Sequence, residues 1–511
     1  MRAWRGRSSS VTPARCARRL DRGAGAGVGN AETIDMSDQS ARAAHDGANP
    51  ENLLRFMTSG WATPPRTPVS PIEGADRFAA RRDALSRAFP GQTLIVPTGH
   101  EKTRANDTVY PFRPGTDFYY LTGNVEPDNV LVLVPDGDVH AATLYCEPNP
   151  GKTDAAFFTD RAKGELWVGP RLGVEQTAER YAIATKPLAA LAHDIASALA
   201  HGAYRVRRGI DPALDAALPE QAERDAELAA ALSEMRLIKD ELEIRELRRA
   251  IAATHRGFDD VVRSLPGAQT ERAVEGVFNL RARIDGNGVG YNTIAASGPD
   301  ACTLHWTRND RRIGENELLL LDAGVEAETL YTADVTRTLP ISGRFTPEQR
   351  TVYDLVLAAQ EAALAECKPG NDFLDPNRAA MHVLAHGLQE LGILASAEEA
   401  LRDENLFYKR YSLHNVSHML GIDVHDCAAA RAETYKFGQL RTGMVLTVEP
   451  GLYFQLDDLT VPARYRGIGV RIEDDVLITE SGVEVLSAAI PRAADEVETW
   501  VGSARGQTAS R

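Results

Sequence analysis

The chain has 511 residues, 43% hydrophobic, 25% charged and 6% aromatic, with a formal net charge of −15. At roughly 150 residues per domain this is two to four domains, and the ordinary globular composition excludes collagen-like, disordered and disulfide-scaffold classes. No apolar run approaches the roughly 18 residues of a membrane span, and the acidic balance argues against nucleic acid or an anionic membrane as a partner.

Residues 1–35 carry seven Arg, no Lys and three acids, so this start is +4 and the rest of the chain −19. Residues 1–50 are rich in Arg, Ser, Gly and Ala and lack an apolar signal core. They read as a disordered basic extension, with a transit segment or a start at Met36 as alternatives. From Glu51 apolar runs appear at Thr93–Val96, Phe118–Leu121, Val130–Val134 and Ala142–Tyr145, punctuated by Gly115, Gly123, Pro127 and Pro135-Asp136-Gly137. Helical patterns over Glu175–Leu199 and Leu214–Leu232 complete an α/β domain, residues 51–235. A charged helix starts near Lys239, with Leu242, Ile244, Leu247, Ile251 and Phe258 at helical spacing, and the boundary lies just before it. Beyond it, helices at Glu271–Arg283, Pro347–Cys367 and Asn377–Leu391 interleave with strands joined by hairpin-sized turns. This predicts an α+β domain over 236–495, an antiparallel sheet covered by helices, and a carboxy-terminal tail at 496–511. The five cysteines (Cys16, Cys146, Cys302, Cys367, Cys427) form no CxxC pair. That suits a reducing, cytoplasmic location and weighs against a cysteine-bound zinc.

Four strand-like segments of the second half each place an acid amid apolar residues. Asp322 ends the run Leu318–Leu321, Asp334 opens DVTRTLP, Glu449 sits in MVLTVEPGLYF and Glu473 in GVRIEDDVLIT. One such aspartate is ordinarily a turn or cap residue, and one buried histidine is ordinarily a hydrogen-bonded core residue. An acid inside an apolar strand is costly unless paired or metal-bound. Two carboxylates about 4 Å apart repel by roughly 4 kcal/mol even at an effective dielectric near 20. If all four converge, cations make the arrangement tolerable, and a binuclear metal site follows. The segment HNVSHMLGIDVHD adds His414, His418 and His425; His414 and His418 are four apart and project to a similar side. One imidazole with four carboxylates favours Mn²⁺, Co²⁺, Fe²⁺ or Zn²⁺. Strand alternation puts Arg471 on the same face as Glu473, where it would orient that acid. Asp474 and Asp475 read as solvated or capping acids.

These motifs are familiar. DAG…YTADVTRTLP, HNVSHMLGIDVHD, TVEPGLY and YRGIGVRIEDD resemble the binuclear pita-bread metallopeptidases, and among them the aminopeptidase P (Xaa-Pro aminopeptidase) family most closely. The likeness extends from about residue 51 to 500, through TRANDTVYPFRPGTDFYYLTGNVEP in the first half and the linker EMRLIKDELEIRELRRA. It implies an aminopeptidase P-type amino-terminal domain followed by a pita-bread catalytic domain. The ligands it implies are Asp322, Asp334, His418, Glu449 and Glu473, with Asp334 and Glu473 bridging two divalent ions, Mn²⁺ foremost. A metal-bridging hydroxide would attack the bond preceding proline in a peptide with proline second. Glu449 matches the general base, His425 the histidine at the substrate carbonyl, His305 a second active-site histidine, and Arg471 a supporting arginine. Asp107 and Trp167 match substrate-site residues of the first domain, the tryptophan reaching in from a neighbouring subunit of a homodimer or homotetramer; His414 and Tyr453 join them as substrate-binding residues.

Three departures stand out. The two aspartates are 12 positions apart where 11 is usual, which a longer turn or a bulge would absorb. Asn415-Val416 replace a common glycine and a small residue, and the basic extension has no counterpart in typical bacterial members. The nearest rival is a prolidase, acting on Xaa-Pro dipeptides only; the serine of HNVSH favours the aminopeptidase. Metal-free creatinase-like chemistry and a non-catalytic pita-bread binding protein both sit poorly with a complete ligand set.

Overall fold

A computed structural model describes residues 49–62, 68–106, 108–200 and 202–508. The basic extension up to residue 48, Met36 and Asp107 lie outside the described residues. Among the described residues no helix is long and apolar enough to cross a membrane.

The first half is built on a five-stranded mixed sheet. Its centre is the antiparallel hairpin Val130–Asp136 and Val139–Cys146, closed by Gly137 in the left-handed region at φ 62°. Thr93–Pro97 lies antiparallel to the first of these strands, and Tyr204–Val206 and Ala184–Pro187 form parallel edges. Both faces are covered, so the inner strands are continuously apolar rather than alternating. Leu94, Val96, Leu131 and Leu133 pack with Leu85, Phe118, Leu228 and Leu232, while Ile95, Val130 and Val132 pack with Leu191 and Ile195 on the other side.

Three local expectations fail here, the first being the pattern Leu214–Leu232, which is two helices, Pro212–Ala217 and Ala222–Met235, parted at 218–221. Phe118–Leu121 is not strand; it lies in the helix Thr116–Thr122, bracketed by Gly115 and Gly123, the latter at φ 69°. An apolar run this short has no periodicity to separate the two conformations. The pattern Glu175–Leu199 is not one helix either. It breaks at Ala182, φ 50°, into the helix Val174–Tyr181, the edge strand Ala184–Pro187 and the helix Leu191–Leu199.

The second half opens with the 24-residue helix Glu241–Ser264, started by a capping box in which Asp240 accepts from the Glu243 amide and Glu243 from the Asp240 amide. Its sheets are antiparallel, as expected. Val335–Pro340, Leu318–Ala323 and Ile294–Ser297 form one, and Val445–Val448, Asp474–Thr479 and Gly482–Val485 another. Gly451–Tyr453 pairs with Gly469–Arg471. The helices Glu271–Asp285, Pro347–Glu366 and Asp375–Glu390 cover them. Residues 496–508 of the stretch expected to be a carboxy-terminal tail instead belong to the helix Ala494–Thr508, which buries Val497 and Val501 in the same core.

The hairpin carrying the two aspartates keeps one register from Leu318↔Pro340 through Asp322↔Thr336 to the bridge Glu326↔Thr332. The ladder therefore has no bulge, and the longer spacing is taken up at the tip. There the Leu330 amide donates to the Ala327 carbonyl (2.9 Å) and Leu330 adopts φ 67°. Asp334 falls opposite Gly324, two residues from Asp322, so both acids share a face. A Cβ at Gly324 would stand 1.7 Å from the Ala333 carbonyl oxygen, which explains glycine between them.

Candidate metal centre

Strand segments and loops from six places converge on one cavity of about 680 Å³. Asp322 comes from the strand Leu318–Ala323, Asp334 from the residue before Val335–Pro340, Glu449 from just after Val445–Val448, and Glu473 from the link between Gly469–Arg471 and Asp474–Thr479. His414, His418 and His425 line it from the loop that precedes Val445, and His305 from the loop after Ile294–Ser297.

Asp322 accepts from Arg471 Nη2 at 2.5 Å and from the Tyr291 hydroxyl at 2.6 Å; that hydroxyl also lies 2.5 Å from Asp334 Oδ1. Arg471 further donates to Thr336 Oγ1 (3.0 Å), whose own hydroxyl donates to Glu473 Oε2 (2.6 Å). His418 Nε2 lies 3.3 Å from Asp334 Oδ2 and 3.4 Å from Glu449 Oε1. Its Nδ1 lies 3.2 Å from the Met419 carbonyl, which can only accept, so Nδ1 carries the hydrogen. Nε2 is then left facing two acids, a position that requires a proton or a metal cation.

The charges are badly matched without cations. Burial, aided by Asp334, pushes Glu473 well above the usual carboxylate range. Burial raises Asp322 as well, although Arg471 opposes it. Burial carries Glu449 to about 7, with His418 and Arg471 pulling the other way. For His418, burial disfavours the charged ring, yet Asp334 and Glu449 outweigh it and raise the ring to about 9. His414 is lowered to about 4, by burial first and then by Arg471, and so is neutral near pH 7. Ligand atoms of Asp334, His418 and Glu473 all lie within 4.8 Å of one another. Oxygen-rich donors around one imidazole, held in protonated states by their own crowding, fit divalent cations.

Nine of the residues singled out from the sequence line this cavity: Asp322, Asp334, His418, Glu449, Glu473, His305, His414, His425 and Arg471. Tyr453 is buried beside them, its hydroxyl 2.8 Å from His414 Nε2 and 3.0 Å from Arg471 Nη1. Trp167 is elsewhere, half-exposed in the short helix Glu165–Val168, its indole N–H donating to the Phe158 carbonyl (2.7 Å). Arg471 was expected to orient Glu473; it grips Asp322 and reaches Glu473 through Thr336. Asp474 and Asp475, expected to be solvated, are fully buried. Asp474 pairs with Arg337 (2.7 Å) and Asp475 accepts from the Asp334 amide (3.1 Å). Tyr291 and Thr336 escaped sequence reasoning because a hydroxyl among small residues carries no local pattern.

Fold and cavity together define a metallopeptidase, and the chain belongs to metallopeptidase family M24: residues 245–480 match that family's model, and 78–206 match the aminopeptidase P N-terminal domain. Xaa-Pro aminopeptidase 1 of Streptomyces coelicolor is 50% identical over 482 residues, 93% of this chain and 97% of that protein. The Xaa-Pro aminopeptidase of Escherichia coli is 34% identical, covering 84% of this chain and 98% of its own. Aminopeptidase P from E. coli, solved with the inhibitor Pro-Leu, superposes with a TM-score of 0.76 at 32% identity, covering 86% of this chain and all of that one.

Proposed function

We propose that this chain is a two-metal exopeptidase that removes the amino-terminal residue from peptides with proline in the second position. The observation that carries the reading is the convergence of Asp322, Asp334, Glu449 and Glu473 with His418 in one cavity that His305, His414 and His425 also line. The full-length likeness to Xaa-Pro aminopeptidases supplies the substrate class. Asp322, Asp334, His418, Glu449 and Glu473 would hold the two cations, with Mn²⁺ the first choice of metal. Such ions supply Lewis acidity and water of lowered pKa near neutral pH.

Around them the chain's own groups divide the work. Glu449 takes the proton of the attacking water. His425 hydrogen-bonds the substrate carbonyl as negative charge develops on its oxygen, and His305 helps bind the substrate and relay protons. His414, kept neutral and tied to the Tyr453 hydroxyl, orients the substrate, and Arg471 holds Tyr453 and Asp322 in register. Asp107, in the first domain and outside the described residues, is assigned to substrate binding by the family likeness alone. We place that domain at residues 51–235 and the catalytic domain from 236 through the last helix. Exposed Leu166 and Val168 flank Trp167, an apolar surface suited to insertion of the indole into a neighbouring subunit of a homodimer or homotetramer. Buried free thiols at Cys146, Cys302, Cys367 and Cys427 accord with a reducing, cytoplasmic setting.

The test is substrate length. With Mn²⁺ present, a tripeptide or longer Xaa-Pro peptide is expected to lose its first residue. Turnover of Xaa-Pro dipeptides alone would make the protein a prolidase and overturn the reading.

A further inference from the structure

The His425 ring is exposed and packs edge-on against His418, with ring centroids 4.4 Å apart. Among the described residues no hydrogen bond of its own anchors it, so its place depends on the loop that carries it. That loop, residues 421–426, is tied down chiefly by groups from outside the catalytic sheets. The Gly421 carbonyl accepts from the Thr332 amide (3.0 Å) in the hairpin that joins the two aspartates. Arg113, from the first half of the chain, donates through Nη2 to the Ile422 carbonyl (2.7 Å) and lies 3.1 Å from Asp423 Oδ1. Thr116 donates to Asp423 at 2.7 Å. Asp426 is buried directly beyond His425, where it accepts from Arg236 Nε and Lys239 Nζ, both at 2.9 Å. A Cβ on Gly421 would come within 2.1 Å of Asp426 Oδ2, so this close seating requires glycine there.

One guanidinium holds two catalytic segments at once. While Nη2 of Arg113 grips the histidine loop, its Nε donates to Glu326 Oε2 (2.9 Å) at the far end of the aspartate hairpin. The Arg113 side chain is about one-third exposed, 36%.

We propose that Arg113 is a positioning residue for His425: the amino-terminal domain, through this guanidinium, sets the distance between the histidine loop and the aspartate hairpin. This rests on the role given to His425 above. A fixed ring meets the developing oxyanion without reorganising, whereas a loop free to shift by an ångström loses that advantage. The loss falls on the transition state more than on substrate binding, because the contact strengthens only there.

The experiment is a double-mutant cycle on the full-length, Mn²⁺-saturated protein, with an Xaa-Pro peptide as substrate. Arg113→Ala is expected to lower kcat by about 10- to 100-fold, the range typical of groups that orient an active-site ligand, with KM changed less than about twofold and bound metal unaltered. Arg113→Lys, keeping charge but losing the fork, is expected to fall between the two. Free guanidinium should restore part of the Arg113→Ala rate. In a His425→Ala background the same Arg113→Ala change should cost less than about twofold, since the group it positions is gone. An equal loss in both backgrounds, no loss, or a loss that follows metal content would overturn the inference. His425→Ala alone separates the two levels: a normal rate there refutes the site reading, whereas a large loss there with no effect of Arg113→Ala refutes only the positioning role.

Discussion

Lowering the pH should strip metal from this protein by proton competition, and the structure fixes the size of the effect. In the metal-free chain His418 is raised, against the effect of burial, to about 9 by Asp334 and Glu449, and Glu449 to about 7 by burial itself. Both are raised, so both hold protons that a cation must displace. At pH 7 these two residues hold about 1.5 protons between them, and at pH 6 about 1.9. The product of the two metal-binding constants should therefore rise by a factor of about 50 from pH 6 to pH 7. Asp322 and Glu473, also raised by burial, add to this rather than offset it. Calorimetric titration of the metal-free protein with Mn²⁺, in buffers of different ionisation enthalpy, counts the released protons directly. Release of more than one proton per chain at pH 7, increasing as the pH falls, is the expected result. PH-independent binding without proton release would refute the reasoning, because it would mean the acids are already ionised and need no cation.

Four further predictions concern the site and its supports. Glu449→Ala should abolish turnover while far-ultraviolet circular dichroism stays unchanged, and His425→Ala should lower kcat more than it raises KM. Arg337→Met leaves Asp474 buried without its main partner and frees the carbonyls of Glu473 and Ile490, which the guanidinium now holds at 2.5 and 2.9 Å. Denaturant unfolding should show a loss of about 3–5 kcal/mol, the cost of orphaning a buried ion. Trp167→Ala should shift the sedimentation profile toward smaller species and lower activity together; a change in neither would remove Trp167 from the subunit contact.

Much of the site is legible in the sequence because it violates a local rule. Asp322, Glu449 and Glu473 are carboxylates at the edge of apolar strand segments, and that cost demands an explanation at each position separately. The supports obey no such rule. Asp474 and Asp475 look like surface acids following a strand residue, and only the fold reveals Arg337 and the Asp334 amide opposite them. Arg471 lines the same cavity as Glu473, but Glu473 sits in a link between strands, and the reach of Arg471 is decided by Thr336, 135 residues away. Phe118–Leu121 shows the same limit at the level of secondary structure, since glycines on either side and packing against Leu85, not periodicity, make it helical.

The most direct test of the account is metal titration of the chelator-stripped protein during cleavage of a longer Xaa-Pro peptide. Activity should be absent without metal, return on addition of Mn²⁺ and level off at two ions per chain, with release of the first residue only. Cleavage that needs no divalent ion, or that proceeds equally well without proline in the second position, would contradict it.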